Sequence, residues 1–178
     1  MRPQLATFLL LFAALAFVAT RAHAVSVTIV PADTSVSVGD TLTLRVVATA
    51  FPDLKGYQLI QTYDPLHLAS VEVRAGDVLT GAPGAWTAYV IPPASSPADS
   101  TWLDAAMLDG STSTPGVLEY LVFRATATGL AHVDCEHTEF RDSQNAWTYP
   151  DCTGAVIHVG GPTATRRPSW GQLKAAYR

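Results

Sequence analysis

Two aromatic residues late in the chain have the type and spacing of a carbohydrate-binding pair. Trp147 and Tyr149 are two positions apart, so an extended segment directs both rings to the same side. Exposed aromatic rings can stack on the C–H faces of sugars, much as they stack on bases. The alternative is that these rings fill the core or cover its rim. We therefore treat Trp147 and Tyr149 as candidate ligand-binding residues.

A second group of chemically capable residues runs from Asp134 to Glu139, in the order Asp-Cys-Glu-His-Thr-Glu. In a regular strand His137 and Glu139 face one way, whereas Asp134 and Glu136 face the other. Either pair has metal-ligand chemistry. A solvated polar strand face explains the run equally well and with fewer requirements. We therefore predict no metal and no cofactor.

Catalytic motifs are missing from the sequence. It contains no GxSxG, no HExxH and no glycine-rich phosphate loop. Paired carboxylates could act as in glycosidases, but 15 acidic residues on a small domain produce such pairs by chance. We predict that the protein is not an enzyme.

The first 24 residues have the three parts of a secretory signal peptide. Arg2 supplies the positive start, residues 5–20 form an apolar run of 16, and Ala22-x-Ala24 is a small-residue cleavage pattern. The alternative, a membrane anchor, requires about 20 apolar residues. We predict cleavage after Ala24 and a secreted or cell-surface chain of 154 residues with no membrane span.

Charge is unevenly distributed along the predicted mature chain. Residues 25–160 hold five basic and 15 acidic residues, whereas residues 161–178 hold four basic residues and no acidic ones. An acidic body argues against nucleic acid as a partner, because binding phosphates requires a basic patch.

In an exported protein, the simplest interpretation of the two cysteines, Cys135 and Cys152, is that they form a disulfide. The alternative is a catalytic or metal-binding thiol, but no CxxC or Cys/His spacing accompanies them. Closing this loop would stabilise the fold by about 3 kcal/mol.

The body of the chain has the alternating pattern of β-strands. Residues 41–50, for example, place Leu42, Leu44, Val46 and Ala48 on one face, the signature of a half-buried strand. Turn residues separate such segments at short intervals, and no helix is predicted. The pattern indicates an all-β antiparallel sandwich of about nine strands. The segments are residues 25–30, 34–38, 41–50, 56–63, 66–74, 85–91, 101–108, 117–127, 131–140 and 153–159, with a Pro/Ser/Ala-rich loop at 92–100.

The chain changes character after Val159. A Gly/Pro/Thr-rich linker precedes a short basic tail, and together they occupy residues 161–178. Short C-terminal tails on some exported bacterial proteins act in sorting or attachment; alternatively, this tail is disordered or packs on the acidic body. The candidate sorting residues are Trp170, Leu173, Lys174, Tyr177 and Arg178.

Several motifs, taken in order, resemble the cohesin family, the β-sandwich modules of bacterial cellulosome scaffolds. One is the strand that begins at Gly56 and ends in Tyr63-Asp64-Pro65, and the order and spacing of the motifs together carry the resemblance. The match spans residues 25–160. The other matching segments are residues 36–44, Leu68 with residues 71–79, residues 116–123 and residues 154–159.

The resemblance implies a jelly-roll-like sandwich in which one sheet face, including residues 56–63, binds a dockerin, a small calcium-loaded helical protein. The family's partner-contacting Asn and Asp before the YDP motif fall near Gly56 and Gln58 here. Gln58 is therefore the candidate contact residue on this strand.

Together these observations predict an exported, non-catalytic binding module that attaches a dockerin-type protein in an extracellular, polysaccharide-degrading type of assembly. One alternative is a module that binds carbohydrate directly. A second alternative is a structural subunit of the cell envelope, held by its tail.

Overall fold

The computed structural model describes residues 25–51, 53–91 and 99–160. The predicted signal peptide (1–24), the predicted linker and tail (161–178, with the candidate sorting residues) and most of the predicted 92–100 loop lie outside the described residues.

Strands dominate the described chain, as the alternating pattern predicts. There are twelve strands, two of them only two or three residues long, and one short helix. In chain order they are β1 (Ser26–Val30), β2 (Asp33–Val36), β3 (Thr41–Ala48), β4 (Gly56–Tyr63), β5 (Leu68–Ala75), α1 (Asp77–Thr80), β6 (Trp86–Ile91), β7 (Ser100–Met107), β8 (Gly116–Ala125), β9 (Gly129–Arg141), β10 (Trp147–Thr148), β11 (Asp151–Thr153) and β12 (Ala155–Val159).

Two sheets enclose the core. The smaller has the order β11-β1-β3-β8-β5, and the larger has the order β2-β12-β9-β4-β7-β6 with β10 paired to β9. The predicted β-sandwich is confirmed, with one correction to its antiparallel character. β1 pairs with β11 in parallel, and β2 pairs with β12 in parallel, so both sheets are mixed. These pairs join the two ends of the chain, and strand alternation carries no information about their relative direction.

The core forms where the inward residues of both sheets meet. On β3 these are Leu44, Val46 and Ala48, and on β8 they are Leu121, Phe123 and Ala125, all at most 1% exposed. On the larger sheet, β4 and β7 contribute Leu59 and Leu103 to the same core. The inward phase predicted from the sequence for residues 41–50 therefore holds on β3, and burial of these side chains is the main stabilising contribution.

The helix α1 is a departure from the predicted all-strand body. It is four residues long, too short to show a helical period in the sequence. Asp77 fixes it to β8, because its Oδ1 accepts a hydrogen bond of 2.6 Å from the Val117 N–H. The preceding Gly76 approaches β8 so closely that a Cβ there would lie 2.1 Å from the Val117 carbonyl oxygen.

The predicted disulfide between Cys135 and Cys152 is present. Cys135 lies on β9 of the larger sheet and Cys152 on β11 of the smaller sheet, so the bond connects the two layers of the sandwich.

One carboxyl group lies inside the otherwise apolar interior. Glu119 of β8 is fully buried, and neither of its oxygens has a hydrogen-bond partner of good geometry. Burial raises the pKa of this carboxyl well above its ordinary value, while the neighbouring Gln61 side chain lowers it by less. Burial therefore favours the protonated form of Glu119.

Removing the disulfide should lower the free energy of unfolding by about 3 kcal/mol, because the unfolded chain regains the entropy of the open loop. Urea unfolding of the Cys135→Ala/Cys152→Ala double variant measures this. Reduced wild-type protein should match the variant. An unchanged unfolding midpoint in both would show that the bond adds no stability.

The buried carboxyl should make stability depend on pH. The folded state holds the Glu119 proton more tightly than the unfolded state, whose carboxyl titrates near the ordinary value of 4.5. The free energy of unfolding should therefore fall as the pH rises above about 4.5, by at most about 1.4 kcal/mol per pH unit, until the folded carboxyl also ionises.

Glu119→Gln should remove this contribution to the slope above about pH 4.5, whatever it does to absolute stability. Denaturation at a series of pH values gives the slope. Glu72→Gln, which changes an exposed carboxyl on β5, is the matched control and should keep the wild-type slope. Equal slopes in Glu119→Gln and wild type would contradict a buried, protonated Glu119.

Candidate functional site

The outward side of β6, β7, β4 and β9 forms a continuous surface that we call the open face. Strand register sets its composition, since residues paired across neighbouring strands share a side. One row consists of Tyr89, Asp104, Gln58 and Glu139. The next row consists of Ile91, Trp102, Ile60 and His137.

Apolar and acidic side chains are interleaved on the open face. Tyr89, on the outer strand β6, is 69% exposed, and Trp102 and Ile60, on β7 and β4, are partly exposed. The Trp102 indole N–H donates to the Ser100 hydroxyl at 3.3 Å, which orients its ring. Apolar and aromatic groups surrounded by charge are the usual composition of a protein-binding patch.

Carboxylates of β7 and β9 flank Gln58 on the open face. Asp104 stands opposite Gln58 on one side, and Glu139 stands opposite it on the other. The His137 Nε2 lies 3.5 Å from the Glu139 Oε2.

A β-bulge changes the facing of the Asp134–Glu139 run. Ile60 pairs with His137 but Gln61 pairs with Cys135, so Glu136 is an extra residue on β9. The predicted split of this run between two faces is therefore wrong. Glu136 lines a shallow depression together with His137, and Asp134 lies opposite Thr62, which lines the same depression. No group of three His, Cys, Asp or Glu side chains in the described residues is arranged to hold a metal ion.

A cleft of about 470 Å³ lies at one end of the open face. Its floor is low because Gly56 and Ala106 occupy paired positions with small or absent side chains. Its walls carry one aromatic ring and several hydrogen-bonding groups, namely Trp147, Gln58, Asp104, Glu139, Lys55, Arg141 and Asn145.

A tight loop places Trp147 at this cleft. The Asp142 Oδ1 accepts hydrogen bonds from the backbone N–H groups of Gln144 and Ala146 at 2.9 and 2.8 Å. Asn145 has a φ of 66°, a left-handed conformation that asparagine tolerates better than most residues. The Arg141 guanidinium carbon then lies 3.7 Å from the centroid of the Trp147 ring.

Asp53 anchors the same loop from the other side, where its carboxylate accepts a hydrogen bond from the Ser143 hydroxyl. Hydrogen bonds from Ser111 and Ser143 lower the pKa of Asp53, which favours the ionised form of this anchor.

The three candidate ligand-binding residues lie along the open face, but in two places. Gln58 and Trp147 meet in the cleft. Tyr149 follows β10, and its ring centroid lies 6.1 Å from that of His137 on β9. Both aromatic rings are exposed, Trp147 by 46% and Tyr149 by 65%.

Sequence reasoning missed Tyr89, Asp104 and Ile60 as parts of one surface. These residues come from three different strands, β6, β7 and β4, so only the strand register brings them together. The available signal was strand alternation, which correctly predicts that Tyr89 and Trp86 face opposite sides of β6. Trp86 stands opposite the buried Met107.

Within the part of the chain that the structure describes, no helix is long and apolar enough to cross a bilayer.

Comparison with known proteins identifies the fold. No family model matches the sequence, and no curated protein matches it either. A cohesin from Clostridium thermocellum, solved in a type I cohesin–dockerin complex, aligns with a TM-score of 0.61 at 14% identity, over 76% of this chain and 99% of that one.

Cohesins from other settings align equally well. A non-cellulosomal cohesin from the archaeon Archaeoglobus fulgidus gives a TM-score of 0.60 at 14% identity, over 76% of this chain and 91% of that one. A cohesin module from a Clostridium perfringens family 33 glycoside hydrolase gives a TM-score of 0.61 at 9% identity, over 76% of this chain and 96% of that one. The described body of this chain is therefore a β-sandwich with the cohesin fold.

Proposed function

We propose that this chain is an exported, non-catalytic module that binds a dockerin-type protein through its open face, in an extracellular assembly such as a polysaccharide-degrading one. The observation that carries this proposal is the open face itself, a surface of exposed apolar and acidic side chains on a fold whose solved neighbours include cohesins in complexes with dockerins.

The dimensions of the open face suit a helical partner. Four strands spaced about 4.8 Å apart make a surface about 15 Å wide between the outer strand axes. A helix with its side chains is about 10 to 12 Å across, so one helix, or two in an angled pair, can lie on the face. Tyr89 and Trp102 are the residue types that most often dominate binding energy at such patches.

The acidic side chains of the open face indicate the chemistry of the partner. Asp104, Glu136 and Glu139 favour a helix that carries Lys or Arg beside an apolar stripe. Gly56 and Gln58 stand where the family has Asn and Asp, so this chain should select a different dockerin surface from the common type I pattern. An uncharged Gln58 between two carboxylates can both donate and accept a hydrogen bond at the centre of the contact.

Export and retention are part of the proposal. Export is supported by the signal-peptide pattern of residues 1–24 and by the disulfide, which is stable only in an oxidising compartment. Retention at the cell surface through residues 161–178, as in the envelope-subunit alternative, stays a prediction.

Tyr89→Ala should weaken partner binding by about 2 kcal/mol, or about 30-fold in Kd, because an exposed aromatic ring on the open face is lost. The measurement is calorimetric titration with calcium-loaded dockerin domains encoded by the producing organism. Binding should also weaken as the salt concentration is raised, since the open face carries acidic side chains.

Tyr120→Ala is the matched control, because Tyr120 lies on β8 of the other sheet, with the Arg74 guanidinium 4.6 Å from its ring centroid. This variant should bind like wild type. Equal losses in Tyr89→Ala and Tyr120→Ala, or no dockerin bound by the wild-type protein, would argue against the open face as a dockerin site.

A second candidate function, direct carbohydrate binding, is favoured by the cleft at the end of the open face. An exposed tryptophan ring can cover the apolar face of a sugar, while Gln58, Asp104 and Asn145 can pair with its hydroxyl groups. This function uses Trp147 rather than Tyr89 as its main aromatic contact, so the two functions are separable by mutation.

Trp147→Ala should abolish retention on immobilised cellulose or xylan if the cleft binds sugar, because the stacking platform is removed. Affinity electrophoresis or a column of the polysaccharide measures this. Trp86→Ala removes an equally large ring, 38% exposed and outside the cleft, and should retain binding. A wild-type protein that passes both polysaccharides without delay would exclude them as ligands.

A further inference from the structure

The inward side of the larger sheet carries a buried polar pair that is separate from the open face. Gln61 of β4 and Thr101 of β7 are directly paired across the two strands, and each is 1% exposed. The Thr101 hydroxyl donates a hydrogen bond of 2.8 Å to the Gln61 Oε1. A nucleophilic oxygen is thus held beside a carboxamide in a position closed to solvent.

Glu119 of β8, from the opposite sheet, completes this group. Its carboxyl is 0% exposed and Gln61 is the neighbouring side chain that lowers its pKa, yet both of its oxygens lack a hydrogen-bond partner of good geometry. The inward positions that follow it on β8 are Leu121 and Phe123. An unpartnered carboxyl in such a core is costly, so its presence requires a reason other than packing.

The geometry points to an internal ester cross-link that forms between the Thr101 Oγ and the Gln61 Cδ, with Glu119 carrying the proton. This inference goes beyond the proposed binding function and does not rest on it.

The chemistry requires no other reactant. The Thr101 oxygen attacks the Gln61 amide carbon, a new C–O bond forms, and the C–N bond to Nε2 breaks. The hydroxyl proton and the amide NH₂ leave together as ammonia. No electron is gained or lost, so neither an oxidant nor a reductant is needed.

Three properties of the site favour this reaction. The two reacting groups are held in hydrogen-bond contact by strand register, which replaces an improbable encounter with a small side-chain rotation. A protonated Glu119 can donate its proton to the leaving nitrogen and recover one from the Thr101 hydroxyl. Complete burial also keeps out the water that would hydrolyse the ester.

The cross-link would tie β4 to β7, the two strands that pair Gln58 with Asp104 on the opposite side of the same sheet. It would therefore fix the register beneath the open face covalently. A module that holds an assembly together outside the cell would gain resistance to strand separation.

The test is the intact mass of the purified full chain after reduction of the disulfide, with the N-terminus of the same sample determined. We expect a mass lower than that of the sequence by one ammonia, and a peptide map in which residues 56–63 and 99–107 are joined. Hydroxylamine, which cleaves esters, should separate the two peptides.

Variants decide whether the loss of mass arises from Thr101 and Gln61. Thr101→Ser keeps the nucleophile and should show the same loss, whereas the near-isosteric Thr101→Val should have the full mass. Glu119→Gln should have the full mass or cross-link far more slowly, and circular dichroism checks that these variants fold. A wild-type protein of full mass, or a loss that persists in Thr101→Val, would overturn the inference.

Discussion

The structure depends most on the alternation of β4, the strand that lies between β9 and β7 near the middle of the larger sheet. Its inward residues, Tyr57, Leu59 and Gln61, are buried against the opposite sheet. Its outward residues, Gln58, Ile60 and Thr62, form the middle of the open face. Because a strand has a period of two, one segment defines both the core and the candidate binding surface, and a slip of one residue would exchange them.

The two sheets are connected by specific contacts as well as by apolar packing. The Tyr57 hydroxyl crosses the interior to donate a 2.7 Å hydrogen bond to the Leu118 carbonyl on β8. Desolvation by burial raises the pKa of this phenol, so it remains a donor throughout the physiological range. The disulfide makes a second connection between the layers. These contacts hold the larger sheet, with β4 in it, against the opposite sheet.

Local patterns predicted the strands and the core, because burial of one side of a strand leaves a period of two in the sequence. The disulfide was predictable because only two cysteines are present. The parallel pairing of β1 with β11 was not, since it joins opposite ends of the chain. The bulge at Glu136 was also not predictable from alternation, and it reversed the predicted facing of Asp134. The cleft joins residues from β4, β7, β9 and the loop before β10, so Gln58 and Trp147 could be named from the sequence but not placed together.

The most direct test of the open face as the docking surface is amide hydrogen exchange of the protein with and without its bound partner. Protection confined to peptides from β4, β6, β7 and β9 is the result that the account predicts. Protection centred instead on β3, β5 and β8, which form the outward side of the other sheet, would contradict it.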